Sequence, residues 1–228
     1  MAASPLSGSL HPGLSRMPSM PAGAAGRFGA AATMLSQSRR CMRTAASEIN
    51  EMGVRNYLIE GVSGAGKTAV ADELQRRGYH VVHGDRELAY RGDPTTGKPL
   101  DEPADESVAD RSAWVHAHHI WDVGKVRAMI VDRRSLISFF CGGCRNLPRF
   151  VDWFDAVFEL DVDLDTLKRR LAARPEDEYG GRPAERALIM RLHATNEDVP
   201  KHAQRIDATA PLAVIVDEIL SKCGETEG

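Results

Sequence analysis

One octapeptide constrains the fold of this chain more than any other feature. Residues 61–68 read Gly-Val-Ser-Gly-Ala-Gly-Lys-Thr, which is the spacing of a phosphate-binding loop. An apolar stretch at 57–60 precedes it and a helical pattern from Thr68 to Arg77 follows it, so the loop joins a strand to a helix as the motif requires. Backbone N–H groups of such a loop, together with the helix N-terminus, bind polyphosphate. The predicted nucleotide-binding residues are Gly61, Val62, Ser63, Gly64, Ala65, Gly66, Lys67 and Thr68.

Two side chains carry the predicted chemistry of this loop. The Lys67 ammonium would reach the β- and γ-phosphate oxygens, and the Thr68 hydroxyl would be a ligand of Mg²⁺. We therefore predict ATP and Mg²⁺ as cofactors, with GTP left open. The stretch from Gly64 to Ala69 also fits a dinucleotide-binding fingerprint, with Asp85 about 20 residues further on. The start of the loop at Gly61 and the Lys-Thr pair favour the polyphosphate loop.

Composition narrows the class of protein. The chain has 228 residues, of which 43% are hydrophobic and 27% are charged, and this suits one domain of medium size. The formal net charge of −3 argues against a nucleic-acid-binding protein, and no apolar run approaches the roughly 18 residues of a membrane helix. Four cysteines in a chain of this length do not suggest a disulfide framework. We expect a cytoplasmic protein with no nucleic-acid and no membrane partner; its oligomeric state is left open.

The N-terminal stretch differs in composition from the rest of the chain. Residues 1–52 are rich in Ala, Ser, Gly and Pro, contain Arg but no Lys, and have no acidic residue before Glu48. We interpret them as a disordered extension: a consequence of a mis-set start, since Met52 comes just before the first strand, or a targeting peptide, or a regulatory tail. If residues 1–47 are a transit peptide, the predicted location is mitochondrial or plastid. The folded domain is predicted over 53–228.

Strands and helices alternate along this predicted domain. Apolar runs predict strands at 57–60, 79–83, 136–141, 156–160 and 205–207, and helical periodicity predicts helices at 68–77, 120–134, 164–174, 184–194 and from 211 onward. Residues 91–111 are predicted to form a long loop, and residues 175–183 a polar flap. This alternation predicts a parallel sheet that is covered on both faces.

With a phosphate-binding loop after the first strand and no second ATPase signature, residues 53–228 resemble the small P-loop kinases. These include adenylate, shikimate, gluconate and nucleoside kinase-like proteins, and the resemblance is closest to nucleoside kinase-like or "AAA family ATPase" proteins. It implies a three-layer α/β fold with a five-stranded parallel sheet in the order 2-3-1-4-5 and helices on both faces. It also implies a substrate-binding insertion at 86–120 and a lid at 175–183.

The resemblance implies an ATP-dependent phosphotransferase, a small-molecule kinase that moves the γ-phosphoryl group to a nucleoside, nucleotide or hydroxylated metabolite. The alternative is a nucleotide-binding switch or a slow ATPase without a small-molecule acceptor. A third possibility is phosphorylation of an RNA end or of an antibiotic, and the acidic insertion argues against RNA.

Four residues outside the loop gain roles from the resemblance and complete, with Lys67, the predicted catalytic set. Asp85 follows the second strand, where it would orient or deprotonate the acceptor hydroxyl, or hold Mg²⁺ through water. Arg145 follows a Gly-Gly turn after the third strand and would clamp the acceptor, while the glycines let the substrate approach the backbone. Arg170 and Arg174 fit the R-L-x-x-R pattern of a lid helix and would neutralise charge on the γ-phosphoryl group. Their ordinary alternatives are a turn residue at Asp85 and solvated surface for the arginines.

Departures from the family pattern concern the metal and the nucleotide base. The third strand does not end in Asp, so a second acidic Mg²⁺ ligand is missing there, and Asp161 after the fourth strand is a poor substitute. Residues 207–211 resemble the loop that packs on the adenine base.

Two clusters of metal-ligating residue types are also present. Cys141 and Cys144 form a C-x-x-C pair, but no second ligand pair has the spacing of a zinc site, and the glycines between the two are the favoured reason for this segment. His116, His118 and His119 lie in a polar insertion and are predicted to be solvated surface.

Overall fold

The computed structural model describes residues 54–104 and 107–225. The predicted extension over 1–52 lies outside these residues. The strands are β1 (Arg55–Glu60), β2 (His80–His83), β3 (Ala89–Arg91), β4 (His119–Trp121), β5 (Ile137–Cys141), β6 (Ala156–Asp161) and β7 (Gln204–Asp207). The helices are α1 (Lys67–Arg76), α2 (Gly84–Glu87), α3 (Val108–Ala117), α4 (Val123–Ile130), α5 (Leu164–Ala172), α6 (Pro183–Thr195) and α7 (Leu212–Glu225), with 3₁₀ turns at Leu147–Arg149 and Val151–Trp153.

Five parallel strands form the central sheet in the order β2-β5-β1-β6-β7. Counted among these five strands alone, the order is 2-3-1-4-5, so the predicted α/β fold and its strand order are confirmed. β1 lies in the middle of the sheet, and all its residues except Arg55 are buried. A strand covered on both faces cannot alternate between apolar and polar residues, which explains the continuous apolar run before the loop.

Each face of the sheet has its own hydrophobic core. Tyr57 and Ile59 of β1 pack with residues of α1, α5 and α7, whereas Leu58 packs with Phe140, Trp121 and other residues on the opposite face. The side chain of Glu60, two positions after Leu58, therefore belongs to the face of Leu58, since side chains alternate along a strand. This is the face to which the predicted insertion contributes.

The insertion is more ordered than the sequence predicts. β3 and β4 pair as antiparallel strands that the sequence does not predict; β3 ends where the predicted loop over 91–111 begins, and β4 contains the first two residues of the predicted helix over 120–134. The predicted helix over 120–134 begins only at Val123, because Asp122 caps it by accepting from the Lys125 N–H at 3.0 Å. Ile120 and Trp121 instead continue β4 and are fully buried.

β4 is fixed against the turn after β5. Asn146 accepts from the backbone N–H of Trp121 at 2.9 Å and donates to its carbonyl at 2.8 Å. The N–H of Arg145 donates to the carbonyl of His119 at 2.8 Å. The β3–β4 pair and the turn thus form one wall beside the carboxyl ends of β1, β2 and β5. Among the described helices, none combines the length and the apolar character that a bilayer-crossing segment needs.

Candidate active site

The phosphate-binding loop runs from the end of β1 to the start of α1. Gly61, Gly64 and Gly66 have φ angles of 147°, 98° and 113°, a region that side chains other than glycine rarely adopt. A Cβ atom at Gly64 would lie 2.8 Å from Leu167 Cδ1 of α5, so the loop packs closely on that helix. A Cβ atom at Gly66 would meet only Arg170, at 3.7 Å, among the described residues, which leaves space for a ligand on that side.

The Lys67 side chain lies folded along the loop. Its ammonium donates to the carbonyl oxygens of Gly61 and Val62, the second at 3.3 Å. Phosphate oxygens are stronger partners for an ammonium than neutral carbonyls, so a bound polyphosphate can take Lys67 from them. Thr68 is exposed in the first turn of α1. Both positions are compatible with the predicted binding of ATP and Mg²⁺, which stays a prediction.

A cavity of about 290 Å³ adjoins the loop. On one side its walls are the end of β1, the first part of the loop, and the turn after β5. The other walls are the β3–β4 pair with α3, the flap, and α6 with the segment that follows it. The structure brings three predicted catalytic residues together on this cavity, namely Lys67, Asp85 and Arg145. Neither Arg170 nor Arg174 lines it.

Asp85 lies in α2, directly after β2. Its Oδ1 accepts from Nε2 of His119 at 3.1 Å and lies 3.4 Å from the backbone nitrogen of Gly143. Burial raises the pKa of Asp85, but the hydrogen bond from His119 and the charge of Lys67 outweigh it, so the pKa is held below its usual value. Asp85 is therefore a carboxylate at neutral pH, and both of these contacts are made by Oδ1.

His119, the first residue of β4, connects Asp85 to Arg91 of β3. Its Nδ1 lies 2.8 Å from Nη1 of Arg91, and since a guanidinium can only donate, the proton of the neutral imidazole is on Nε2 and faces Asp85. The prediction of solvated surface is wrong for His119, because the pairing of Arg91 with His119 across β3 and β4 places both side chains on the cavity.

Arg145 lines the cavity, and its positive charge is paired with a carboxylate of the chain. Its guanidinium forms an ion pair with Asp198, in the segment after α6, and Nε2 of His116 lies 3.1 Å from the other oxygen of Asp198. Burial, followed by the charge of Arg145, lowers the pKa of His116 to about 4, so His116 is neutral and holds Asp198 through its N–H. The prediction of solvated surface is wrong for His116 as well.

Arg170 contacts the phosphate loop itself, and its predicted role toward the γ-phosphoryl group stays a prediction. Its guanidinium donates to the carbonyl oxygens of Gly64 at 3.3 Å and Ala65 at 2.8 Å, and to the Ala208 carbonyl after β7 at 2.8 Å. All these partners are backbone groups, because the last turn of α5 lies against the loop. Arg170 therefore holds the loop in place and ties it to residues 207–211, the segment predicted to pack on adenine.

Arg174 joins the loop to the flap. It lies two residues beyond the end of α5, and its Nη1 donates to Ser63 Oγ at 2.9 Å and to the Tyr179 carbonyl. The flap is also anchored to α6, where the Gly180 N–H donates to Glu185 Oε2 at 2.8 Å. Tyr179 lines the cavity, and burial, with Glu185, raises the pKa of its hydroxyl. The flap thus covers one side of the cavity.

Sequence reasoning misses Glu60, the last residue of β1. Its side chain is buried, with 4% exposure, and Oε2 accepts from the Gly61 N–H at 3.0 Å. Oε1 has no hydrogen-bond partner within the described ranges, 54–104 and 107–225. Burial raises the pKa of Glu60 in spite of the charge of Lys67. The signal was available: an acidic residue ends an apolar strand directly before the phosphate loop.

The Gly142–Gly143 turn is closely packed where its side chains would lie, although Gly143 lines the cavity, so the approach of a substrate to this backbone stays a prediction. A Cβ atom at Gly142 would lie 2.7 Å from Trp121 and 2.8 Å from Asp85 Oδ1, and one at Gly143 would lie 2.9 Å from Glu60 Oε1. The chain's own side chains fill this space. The glycines are therefore required by the two carboxyl groups and Trp121.

Cys141 and Cys144 flank this turn as buried free thiols. Burial raises the pKa of Cys141 to about 12 and also raises the pKa of Cys144. Thiols that stay protonated are poor nucleophiles and poor metal ligands, which agrees with the glycines being the reason for this segment.

The donor set fits an Mg²⁺ ion that arrives with a nucleotide. Mg²⁺ typically takes one or two protein ligands and completes its shell with phosphates and water. Thr68 and Asp85 can supply such ligands, and the part of the chain that the structure describes contains no cluster of three or more His, Cys, Asp or Glu for a protein cage. Asp161 faces Arg205 at 3.8 Å instead.

Comparisons with solved structures give several similar proteins. A sugar kinase from Janibacter is 19% identical, with 74% of this chain and 93% of that chain covered and a TM-score of 0.44. A gluconokinase from Sinorhizobium meliloti is 18% identical, with 76% and 93% covered and a TM-score of 0.44. A shikimate kinase from Bacteroides thetaiotaomicron is 15% identical, with 75% and 98% covered and a TM-score of 0.46. Likenesses of this strength do not decide the chemistry of the chain.

The family assignment rests on a sequence model. No curated protein matches the chain significantly, but the model of the family described as "AAA domain" matches residues 58–191, more than half of the chain. The matched region contains the phosphate loop, Asp85, Arg145, Arg170 and the flap. The resemblance to the small P-loop kinases is confirmed at the level of the fold by the sheet order and the loop. The chain belongs to the AAA domain family.

Proposed function

We propose that the chain is an ATP-dependent phosphotransferase that moves the γ-phosphoryl group to a hydroxyl group of a small-molecule acceptor. The observation that carries the proposal is the shared cavity, since Lys67 of the phosphate loop and Asp85 after β2 line the same space of about 290 Å³. A nucleotide switch needs the loop but has no need of a second ligand-sized space beside it. The cavity is lined by both charged and apolar residues, as small-molecule sites usually are.

In the proposed reaction the acceptor hydroxyl oxygen attacks the γ-phosphorus. The new oxygen–phosphorus bond forms while the bond to the β–γ bridging oxygen breaks, and ADP leaves with that electron pair. The acceptor's proton passes to the Asp85 carboxylate, which His119 holds by its Nε2–H. Lys67 balances negative charge on the β- and γ-phosphate oxygens. When bound, Mg²⁺ would supply further positive charge to these oxygens, with Thr68 as the residue that would hold it.

The flap supports transfer to an acceptor over transfer to water. Arg174 bonds both the loop hydroxyl of Ser63 and the flap carbonyl of Tyr179, so flap position and loop position are coupled. A covered site excludes water from the reacting phosphorus. We therefore assign Arg174 to flap closure, and only indirectly to the transferred group.

The proposal is tested by measuring ADP formation by the full-length protein with ATP, Mg²⁺ and a panel of sugars, nucleosides, polyols and small acids. We expect turnover that depends on one class of acceptor. Asp85→Asn should lower transfer by about 10²-fold or more and leave ATP affinity nearly unchanged, because positioning and proton removal are lost while the loop is intact. Asp101→Asn is the matched control, since Asp101 is exposed and outside the cavity. ADP formation that is independent of every acceptor and of Asp85 would contradict the proposal.

A further inference from the structure

Glu60 Oε1 is a hydrogen-bond acceptor that the described part of the chain leaves unsatisfied. The Glu60 side chain is only 4% exposed, and it is held by the Gly61 N–H through its other oxygen. Glu60 nevertheless lines the cavity beside the loop. A buried carboxyl oxygen without a donor is unfavourable by itself, so the position is one that a ligand donor would satisfy.

The carboxyl groups of Glu60 and Asp85 meet at one residue, Gly143. Asp85 Oδ1 lies 3.4 Å from the Gly143 nitrogen, and Glu60 Oε1 would lie 2.9 Å from a Cβ atom at Gly143. The absence of a side chain at Gly143 allows the Glu60 carboxyl group to approach, and the absence of one at Gly142 allows Asp85 to do so. Two carboxyl groups this close together match two hydroxyl donors on neighbouring atoms of a ligand.

The cations of the cavity are engaged elsewhere. Arg145 is paired with Asp198, and Arg91 donates to Nδ1 of His119. Lys67 is bonded to loop carbonyls and is the group expected to follow the phosphates of the nucleotide. An anionic acceptor would thus be repelled by two carboxyl groups and by the polyphosphate of the nucleotide. The positive charge of Arg91 would oppose this repulsion.

We propose that Glu60 and Asp85 together bind two neighbouring hydroxyl groups of the acceptor, and that the acceptor is therefore an uncharged polyol and not an acid or a phosphate ester. This inference rests on the proposed function, because it concerns the acceptor of the same site. Asp85 receives the proton of the hydroxyl that reacts, and Glu60 accepts from the hydroxyl next to it. Glu60 is thus a specificity-determining residue.

Lys67 is the positive charge that acts most strongly on the Glu60 carboxyl group. Its ammonium is bonded to the carbonyl of Gly61, the residue after Glu60. When phosphates draw Lys67 away, the Glu60 carboxyl group loses this attraction, and a ligand hydroxyl becomes its available partner. The polyol should therefore bind more tightly to the protein with ADP or ATP bound than to the protein without a nucleotide.

The experiment compares matched compounds on the full-length protein. Glucose is tested with gluconate, a glucose monophosphate and glucosamine, ribose with ribonate and a ribose monophosphate, and adenosine with AMP. Binding is measured by calorimetry with ADP and Mg²⁺ present, and phosphorylation by ADP formation with ATP. We expect an uncharged member of at least one series to bind and react, and its charged partners to be at least about 10-fold weaker.

Variants then test the role of Glu60. Glu60→Gln keeps the shape of the side chain and an acceptor for the Gly61 N–H, but it turns an amide donor toward the hydroxyl that would donate to Glu60. Polyol affinity should therefore fall by about 10- to 100-fold, with nucleotide affinity unchanged. Glu159→Gln is the matched control, because Glu159 is the buried neighbour of Glu60 in β6 but faces Arg205 outside the cavity. Asp198→Asn frees Arg145 and should improve the relative affinity of the acids.

Each outcome decides the inference. It is overturned if an acid, a phosphate ester or an amino sugar is the preferred ligand, if no uncharged compound binds, or if Glu60→Gln and Glu159→Gln behave alike. A polyol that binds through Glu60 and is never phosphorylated would refute the proposed function and leave the inference intact. An acid that is phosphorylated would do the opposite.

Discussion

Replacing Arg170 by alanine is the sharpest test of how the phosphate loop is held. The guanidinium makes three hydrogen bonds to backbone carbonyls, two in the loop and one at Ala208. A hydrogen bond to a charged group contributes about 1.5–3 kcal/mol net, but these three share one side chain and water can replace part of the loss. We therefore expect Arg170→Ala to lower the free energy of unfolding by about 2–4 kcal/mol, the range of a broken buried network.

Thermal unfolding provides the measurement. For a domain of this size 1 kcal/mol corresponds to about 2–4 °C, so Arg170→Ala should melt roughly 5–15 °C lower than the unmodified protein. Arg169→Ala is the matched control, because Arg169 is the preceding residue of α5, is exposed, and donates to the side chain of Thr166, at Oγ1, at 2.8 Å. Its effect should stay within about 0.5 kcal/mol. ATP affinity should also fall in Arg170→Ala, since a loosened loop must be ordered on binding.

One pattern of results would contradict this structural role of Arg170. If Arg170→Ala and Arg169→Ala unfold at the same temperature and bind ATP equally, while only Arg170→Ala loses phosphoryl transfer, the guanidinium acts on the transferred group. The role implied by the family resemblance would then be correct, and the contacts with the loop carbonyls would be secondary.

Three further changes test separate parts of the site. Lys67→Ala should abolish phosphoryl transfer by orders of magnitude with little change in melting temperature, because its present partners are two loop carbonyls; unchanged turnover would remove Lys67 from the mechanism. Burial raises the pKa of Glu60 above 4.5, so the folded state loses stability as the pH rises from there; Glu60→Gln should be more stable than the unmodified protein at pH 7 and equal near pH 4 in urea titrations. Gly84→Ala should destabilise by about 1–3 kcal/mol or more, since its Cβ would lie 2.0 Å from Trp121, whereas Gly224→Ala, with no atom within 4 Å, should be neutral or stabilising.

Local patterns predicted the parts of this protein that depend on neighbours in sequence. The loop from Gly61 to Thr68 is contiguous, and its glycines and Lys-Thr pair are fixed by one short stretch of backbone. The sheet order came from the family resemblance and not from a local pattern. The strand over 136–141 and the helix over 184–194 were also predictable, since an apolar run and a helical period are local signals.

The parts that were missed depend on contacts between distant residues. His119 reaches Asp85 only because β4 pairs with β3 and is held by Asn146, and no local pattern encodes that pairing. The spacing of Arg170 and Arg174 indicates one helix face, but the partners of each are set by where the loop lies on α5. The end of that helix at Ala172 turns Arg174 toward the flap.

The fate of the γ-phosphorus tests the central claim most directly. Phosphorus NMR on the full-length protein, with ATP, Mg²⁺ and the best acceptor from the panel, separates a phosphate ester from inorganic phosphate in one spectrum. The account predicts that the γ-phosphorus appears in an ester of the acceptor, and that the ester signal is lost in Lys67→Ala and reduced by about 10²-fold in Asp85→Asn. If the γ-phosphorus appears only as inorganic phosphate, at the same rate with and without every acceptor, the chain is not a small-molecule kinase.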